Sequence, residues 1–307
     1  MIFNDIHKLP VFKKPVITIG TFDGVHMGHS AILKEVVQHA TGTGGESILI
    51  TFEPHPRKLL FPNQILHILT PLEKKVQLVQ QQGIEHVVVA HFTKAFSDLT
   101  AEEYIRDFLV KHFNPHSIVI GYDHRFGHDR KGDIHMLKKY ADQYQYEVVE
   151  IPAQLIDEAT VSSTKIRKAL TEGHVQDAAH MLGHNYTVAG TVIKGRQLGK
   201  ELGYPTANLQ PSDADQLIPA LGIYTVRVKH NGNTYGGMMS IGYNPTVTDE
   251  KRVNIEVNIF DFDEIIYDHT IEIEFIAWLR NEEKFVSLDA LKAQLAKDKE
   301  ASLSILK

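Results

Sequence analysis

A glycine-rich segment with two histidines, residues 20–29, is the part of this sequence best suited to chemistry. It reads Gly-Thr-Phe-Asp-Gly-Val-His-Met-Gly-His and lies between an apolar, β-branched run at 16–19 and a helical pattern from residue 30. This order predicts a strand, a tight turn and a helix start. Helix starts attract anions through free N–H groups and the helix dipole. His26 and His29 could there donate to phosphate oxygens, as nucleotidyl transfer requires when pyrophosphate leaves, although such a turn can also be purely structural.

Further polar segments begin a helix or follow a predicted strand in the same half of the chain. Residues 161–167, Val-Ser-Ser-Thr-Lys-Ile-Arg, begin a helix, and their serines are good N-caps. Lys165 and Arg167 fall in its first turn, where positive charge opposes the helix dipole unless an anion is bound there. Residues 51–57 and 121–127 leave predicted strands at the edge where parallel sheets bind ligands. A structural turn explains these two loops equally well.

The second half of the chain contains a different pair of polar features. A loop with four glycines, residues 190–208, does not match the Walker phosphate loop. It ends in Thr206 and Asn208, whose side-chain oxygens suit Mg²⁺, and Lys200 adds a positive charge. On the strand pattern 254–259 the apolar residues share one face, so Glu256 lies on the other. Glu256 could act as a general base, or simply face water.

The elements that must position these groups change in character along the chain. In the first half, predicted strands at 16–22, 47–52, 86–90, 117–121 and 147–151 alternate with predicted helices. This order indicates an α/β domain with a doubly wound parallel sheet. From residue 187, predicted strands follow one another with an Asn-Gly turn between two of them, as in a small antiparallel β-barrel, and a last helix begins near residue 288. We place the domains at 1–184 and 185–307.

Composition bounds the kind of protein further. The chain has 307 residues and a net charge of -6, which is unlike a dedicated nucleic-acid-binding protein. It has no cysteine, which rules out disulfides and thiolate chemistry and suits a reducing compartment. No apolar run reaches the roughly 20 residues of a membrane span. We expect a cytoplasmic protein that binds neither membranes nor nucleic acid, and the sequence leaves its oligomeric state open.

The segments 20–29, 52–57, 121–127 and 162–167 together closely resemble the N-terminal module of the bacterial bifunctional riboflavin kinase/FAD synthetases, which carry a His-x-Gly-His signature, here residues 26–29. The resemblance implies adenylyl transfer from ATP to FMN with Mg²⁺, and His26 and His29 as stabilisers of the α-phosphate in the transition state. It implies ATP contacts by Gly20, Phe22, Asp23, Gly28, Ser163, Thr164 and Arg167. It places Asp123 and Phe126 at the flavin.

The second half resembles the riboflavin kinase module of the same family, whose hallmark Pro-Thr-Ala-Asn is here residues 205–208. The resemblance implies a six-stranded barrel in which Thr206 and Asn208 hold the metal and ATP, and in which Glu256 is the base toward the ribityl hydroxyl. Gly195 and Lys200 would also contact ATP, and Arg280 would contact the flavin.

Three residues depart from the family pattern, and two other functions stay open. His124 replaces a usual phenylalanine, Asn258 a usual histidine and Asp268 a usual glycine. One alternative function is a nucleotidyltransferase for another phosphorylated acceptor, which would leave the loop at 205–208 without a purpose. The other is a regulator that binds flavin nucleotides with little turnover. Retention of both polar clusters favours the bifunctional enzyme, with riboflavin, FMN and ATP as its substrates.

Overall fold

The protein is described here by a computed structural model that covers residues 1–152, 161–195, 199, 202–243 and 253–307. These residues form two compact units, Met1–Ser163 and Thr164–Lys307. The second unit begins earlier in the chain than the predicted boundary at 184/185, since the helix Val175–Leu182 packs on a barrel strand, Thr270–Arg280. The boundary at 184/185 stays a prediction of where the two functions divide.

The first unit is an α/β domain built on a six-stranded parallel sheet, as the alternation of elements predicts. Its strands are β1 (Ile2–Phe3), β2 (Val16–Ile19), β3 (Ser47–Glu53), β4 (His86–His91), β5 (Ser117–Gly121) and β6 (Glu147–Ile151). Their order in the sheet is β1-β4-β3-β2-β5-β6. The chain therefore moves outward on one side of β2 and then returns to β5 on the other. The switch point where such sheets bind ligands lies between the carboxyl ends of β2 and β5.

Both faces of the inner strands β4, β3, β2 and β5 are buried, which explains why these strands are mostly apolar. Ile17 and Ile19 of β2 pack in one cluster with Ile48 and Ile50 of β3. Val16 packs in a second cluster, on the other face, as do Leu49 and Val87 from the neighbouring strands. Helices cover the two faces: α1 (Met27–Thr43), α2 (Pro56–Leu60), α3 (Leu72–Gln81), α4 (Lys94–Ser97), α5 (Ala101–Glu103), which continues through a π-helical turn (Tyr104–Val110) into α6 (Lys111–Phe113), and α7 (Ile134–Tyr144).

The second unit is a closed antiparallel barrel, and its described residues also form helices α8 (Ser163–Thr171, whose first residue belongs to the first unit), α9 (Val175–Leu182) and the C-terminal α10 (Leu288–Leu306). Its strands are β7 (Thr187–Ile193), β8 (Ala207–Pro211), β9 (Gly222–His230), β10 (Asn233–Tyr243), β11 (Val253–Ile259) and β12 (Thr270–Arg280), in the order β10-β11-β8-β7-β12-β9. The barrel confirms the predicted fold class. Among the described helices of the chain, none has the length and apolar character needed to cross a bilayer.

Strand β8 is not among the strands predicted from the sequence, where its first residues read as the end of a glycine-rich loop. The segment Ala-Asn-Leu-Gln-Pro has no β-branched residue and therefore little strand propensity of its own. It becomes a strand because β7 and β11 pair with it from both sides. This pairing sets Asn208 beside Glu256 in register.

Candidate active sites

The turn after β2 adopts the strand-turn-helix geometry expected for residues 20–29, with a strained backbone. Phe22 has φ of 46° and Val25 has φ of 43°, in the left-handed region that β-branched residues rarely occupy. Gly20 is required here because a Cβ at this position would lie 2.9 Å from the Phe22 ring. Such strain is held only where the surrounding structure fixes it, and it concentrates at functional sites.

His26 and His29 are brought together at the start of α1. His26 is the N-cap residue, and its Nδ1 accepts a hydrogen bond from the backbone N–H of His29 at 3.3 Å. The two rings stack with centroids 3.6 Å apart and an angle of 16°. Since Nδ1 of His26 accepts, the neutral ring must carry its proton on Nε2 and can donate from there. The helix start and the imidazole donors therefore occupy one place, as the sequence predicts.

Burial keeps both imidazoles uncharged. It lowers the pKa of His26 to about 4. It also lowers the pKa of His29 well below its usual value, and the charges of His26 and Lys75 contribute to this shift. The Nδ1 atom of His29 is buried and has no hydrogen-bond partner among the described residues. Neutral N–H donors at a helix start can bind phosphate oxygens.

Asp23 and Ser163, both predicted ATP contacts, form hydrogen bonds that connect this turn to other segments of the chain. The buried carboxylate of Asp23 accepts from the N–H of Leu69 at 2.9 Å and from the N–H of Thr70 at 3.0 Å. Ser163 Oγ donates to the carbonyl of Asp23 at 2.9 Å. Gly28 is buried in the first turn of α1. Any nucleotide contact by Asp23 would come in addition to these bonds, and the ATP contacts remain predictions.

Thr164 and Arg167 follow Ser163 along α8, as the sequence predicts. Thr164 is exposed in the first turn and Arg167 is half-buried in the next. Both lie in the second compact unit, whereas Ser163 is the last residue of the first. The proposed triphosphate contacts of the three residues remain predictions.

Asp123 and Phe126, both in the loop after β5, differ in their burial. Asp123 is exposed, while the Phe126 ring is buried against Tyr104 with centroids 5.0 Å apart. His124, the residue that replaces a usual phenylalanine, stacks on Phe126 at 6.0 Å. Burial lowers the pKa of His124 to about 4, so its ring is neutral and can take the place of an aromatic apolar one. Phe126 serves the core here, and a flavin contact by either predicted residue is still an expectation.

Lys75 is a polar residue of the first unit that the sequence analysis missed. It lies on α3 with only 4% of its surface exposed, and its Nζ donates to Thr51 Oγ1 at 3.5 Å. The signal was present in the sequence, because Lys75 falls on the same helix face as Leu72, Val76 and Val79. A lysine on the apolar face of an amphipathic helix is rarely buried without a reason.

In the second unit, Thr206 and Glu256, both predicted site residues, lie together in one polar cluster. Thr206 Oγ1 donates to Glu256 Oε2 at 3.0 Å, and Asn254 Nδ2 donates to Oε1 at 2.6 Å. The alternation on β11 is as predicted, since Ile255 and Val257 are buried on the opposite face from Glu256. Two donors thus fix the carboxylate of Glu256 in one orientation, as a general base requires.

Asn208 and Gly195 complete this cluster. Asn208 is buried, and a Cβ at Gly195 would lie 2.0 Å from its Nδ2, so only glycine leaves room for the amide. Asn258, which replaces a usual histidine, donates from Nδ2 to the carbonyl of Pro205 at 2.7 Å and so fixes the start of the 205–208 turn. Lys200 lies outside the described residues, and its predicted ATP contact is not tested.

The guanidinium group of Arg280 is bound by side chains of the C-terminal helix. Its Nη2 donates to Asp298 Oδ2 at 2.7 Å and its Nε to Oδ1 at 3.0 Å, and Asp298 is buried. Gln294 donates to the same carboxylate at 2.9 Å. This bidentate pair anchors α10 to the end of β12. A flavin contact by the remaining N–H groups of Arg280 stays a prediction.

Asp268 occupies a turn that explains both its own identity and the usual glycine. Its φ is 64°, and its N–H donates to the carbonyl of Val192 at 2.8 Å. Aspartate tolerates this left-handed region better than most residues, and glycine adopts it without strain. We expect Asp268→Gly to have a free energy of unfolding equal to that of the natural chain or up to about 1 kcal/mol higher. Asp268→Ala should have a free energy of unfolding about 1 kcal/mol lower. Thermal melts of the three proteins test this order, and an alanine variant as stable as the aspartate would contradict it.

The neutral histidines predict loss of stability in acid. Because the folded state lowers the pKa of His26 to about 4, the unfolded chain binds its proton first as the pH falls below about 6.5. The contribution of His26 is therefore complete above pH 6.5, and about 3 kcal/mol is lost between pH 6.5 and 4. Urea unfolding across this range should show a shallower pH dependence for His26→Asn, which keeps an N-cap. The exposed His135, changed to Asn, is the matched control. An unchanged slope in His26→Asn would contradict the assignment.

Comparison with known proteins agrees with the two clusters. The FAD synthetase family model matches residues 9–165, and the riboflavin kinase family model matches residues 182–306. The bifunctional riboflavin kinase/FMN adenylyltransferase of Listeria monocytogenes is 40% identical over 93% of this chain and 90% of that protein. The protein of the same name from Escherichia coli is 34% identical over 92% of this chain and 90% of its own length.

A solved structure from Streptococcus pneumoniae has the same fold over 98% of both chains, with a TM-score of 0.87 and 31% identity. Its title describes a macrolide-efflux protein. By its two domains and by its relatives, this chain belongs to the family of bifunctional riboflavin kinase/FMN adenylyltransferases. Riboflavin kinase activity and FMN adenylyltransferase activity are thus its two functions.

Proposed function

We propose that this chain converts riboflavin to FMN at the Thr206–Glu256 cluster and FMN to FAD at the His26–His29 pair, each time with ATP. The observation that carries this proposal is that each half of the chain has its own cluster of oriented polar side chains. The first cluster consists of neutral imidazole donors at a helix start. The second consists of a carboxylate fixed between a hydroxyl and an amide.

At the first site, an oxygen of the FMN phosphate attacks the α-phosphorus of ATP, and the bond from that phosphorus to the bridging oxygen of pyrophosphate breaks. No protein nucleophile is needed, so the chain has to position the reactants and stabilise charge. The Nε2–H of His26, whose Nδ1 is occupied by the N–H of His29, is one donor for that charge. Donors held by their own hydrogen bonds need no reorganisation during the reaction.

At the second site, Glu256 accepts the proton of the ribityl hydroxyl as that oxygen attacks the γ-phosphorus of ATP. The hydroxyl of Thr206 and the amide of Asn254 orient the carboxylate for this role. Both donors leave a lone pair on the carboxylate for the substrate proton. ADP leaves, and FMN becomes the substrate of the first site.

Mg²⁺ is the metal we expect with ATP. Side-chain oxygens are the ligands this hard cation prefers, and Thr206 and Asn208 offer a hydroxyl and an amide oxygen beside Glu256. When bound, the ion would neutralise the charge of the polyphosphate. We propose a cytoplasmic location because a sequence without cysteine suits a reducing compartment.

The test is an assay with riboflavin, ATP and Mg²⁺ that separates riboflavin, FMN and FAD. The proposal predicts that FMN forms first and FAD follows. FMN without FAD would contradict the first site. Absence of FMN would contradict the second site, and the first site is then tested with FMN and ATP directly.

A further inference from the structure

Lys75 is a buried cation with little to balance it inside the protein. Its ammonium has three N–H groups, and its hydrogen bond among the described residues is the long one to Thr51 Oγ1, at 3.5 Å. No carboxylate among the residues that the structure describes forms an ion pair with Lys75. Burial lowers the pKa of Lys75, and the charges of Asp23 and Glu53 raise it in partial compensation. A buried ammonium without a close anion is expensive unless an anion arrives from outside.

The turn after β2 holds Lys75 in place through two independent connections. Thr51 Oγ1, which accepts from Lys75, itself donates to the carbonyl of Thr21 at 3.3 Å. Asp23 binds the N–H groups of Leu69 and Thr70, directly ahead of α3, and so fixes the start of the helix that carries Lys75. The same ten residues that position the histidines therefore also position this lysine.

The carboxylate of Asp23 acts on Lys75 through its charge, while its oxygens accept hydrogen bonds from the backbone. The oxygens of Asp23 accept three contacts from two backbone N–H groups, at 2.9, 3.1 and 3.0 Å. The charge of Lys75 also acts on His29, where it lowers the pKa. The ammonium is thus close enough to act on the histidine pair but is not paired with a carboxylate.

We propose that Lys75 is a further catalytic residue of adenylyl transfer, whose ammonium binds phosphate oxygens of ATP beside the His26–His29 pair. This inference depends on the proposed location of that reaction. In this role Lys75 transfers no proton: the FMN oxygen forms the new bond to the α-phosphorus, and pyrophosphate leaves with the electron pair of the broken bond. The lysine supplies a full positive charge that the two neutral imidazoles lack, and it balances part of the charge that develops on the phosphates.

The experiment uses the full chain with Lys75→Met, which keeps the length of the side chain and removes its charge. Lys34→Met on α1 is the matched control, because Lys34 is exposed. We expect the kcat of FMN adenylylation to fall about 100-fold or more in Lys75→Met. The same preparation should keep its riboflavin kinase rate, and Lys34→Met should keep both rates. If Lys75→Met does not fold, Lys75→Gln is measured instead, with the same threshold.

The outcomes distinguish a failure of the proposed role of Lys75 from a failure of the proposed FMN adenylylation. A folded Lys75→Met or Lys75→Gln with adenylylation within threefold of the natural chain would overturn the role of Lys75 alone. A natural chain that forms no FAD from FMN and ATP would overturn the proposed function and this inference together. Lys75→Arg adds a second check, since it should keep more of the kcat than Lys75→Met if charge, rather than packing, is the cause.

Discussion

Replacing His29 with alanine is expected to stop the reaction at FMN. The substitution removes the imidazole that stacks on His26, while the backbone N–H that caps the helix start remains. If His29 donates to the α-phosphate as the charge builds up, its loss should reduce the kcat of FMN adenylylation by about 10²- to 10³-fold. Riboflavin phosphorylation should continue at its normal rate. The measurement is the separation of riboflavin, FMN and FAD over time.

The matched control for this variant is His135→Ala, which removes an exposed imidazole from the same unit. It should form FAD at the rate of the natural chain. The pH dependence adds a second criterion, because a neutral donor with a lowered pKa should stay active at pH 6. FAD synthesis by His29→Ala at the normal rate would show that the His-x-Gly-His segment is only a structural turn.

Changing Glu256 to glutamine should block the step that His29→Ala leaves intact, the phosphorylation of riboflavin. Glutamine keeps the size of the side chain and can still meet Thr206 and Asn254, but it cannot accept the proton of the ribityl hydroxyl. Loss of a general base lowers the rate by about 10²- to 10⁴-fold. We therefore expect almost no FMN from riboflavin, but a normal rate of FAD formation when FMN is supplied.

Glu264→Gln, in an exposed position of the same unit, is the control for this substitution and should leave both rates unchanged. A mixture of His29→Ala and Glu256→Gln provides a sharper check. FMN made by one variant can be adenylylated by the other, so the mixture should form FAD from riboflavin although neither protein does so alone. Phosphorylation by Glu256→Gln within threefold of the natural rate would exclude this residue as the base.

The sequence could predict the elements whose pattern is local. Strands β2 to β5 are mostly apolar because helices cover the sheet, and the alternation of strands with helices predicts the parallel fold. Residues 26 and 29 fall at a predicted helix start, so their proximity also follows from helix geometry. The alternation around Glu256 likewise gives its face of the strand.

What the sequence could not show depends on contacts between distant segments. Strand β8 exists because β7 and β11 pair with it, and its own residues have little strand propensity. The bond from Asn258 to Pro205 and the pair of Arg280 with Asp298 join residues far apart in the chain. The bonds from the N–H groups of Leu69 and Thr70 to Asp23, which fix the start of the helix that carries Lys75, also join distant segments. No local pattern contains that information.

The most direct test of the two-site account follows both phosphates of ATP. The natural chain is given riboflavin and ATP labelled either at the α- or at the γ-phosphorus, and FMN and FAD are separated. The account predicts that FMN carries only the γ-label, whereas FAD carries both. Label from the α-position in FMN, or FAD that lacks the α-label, would contradict it.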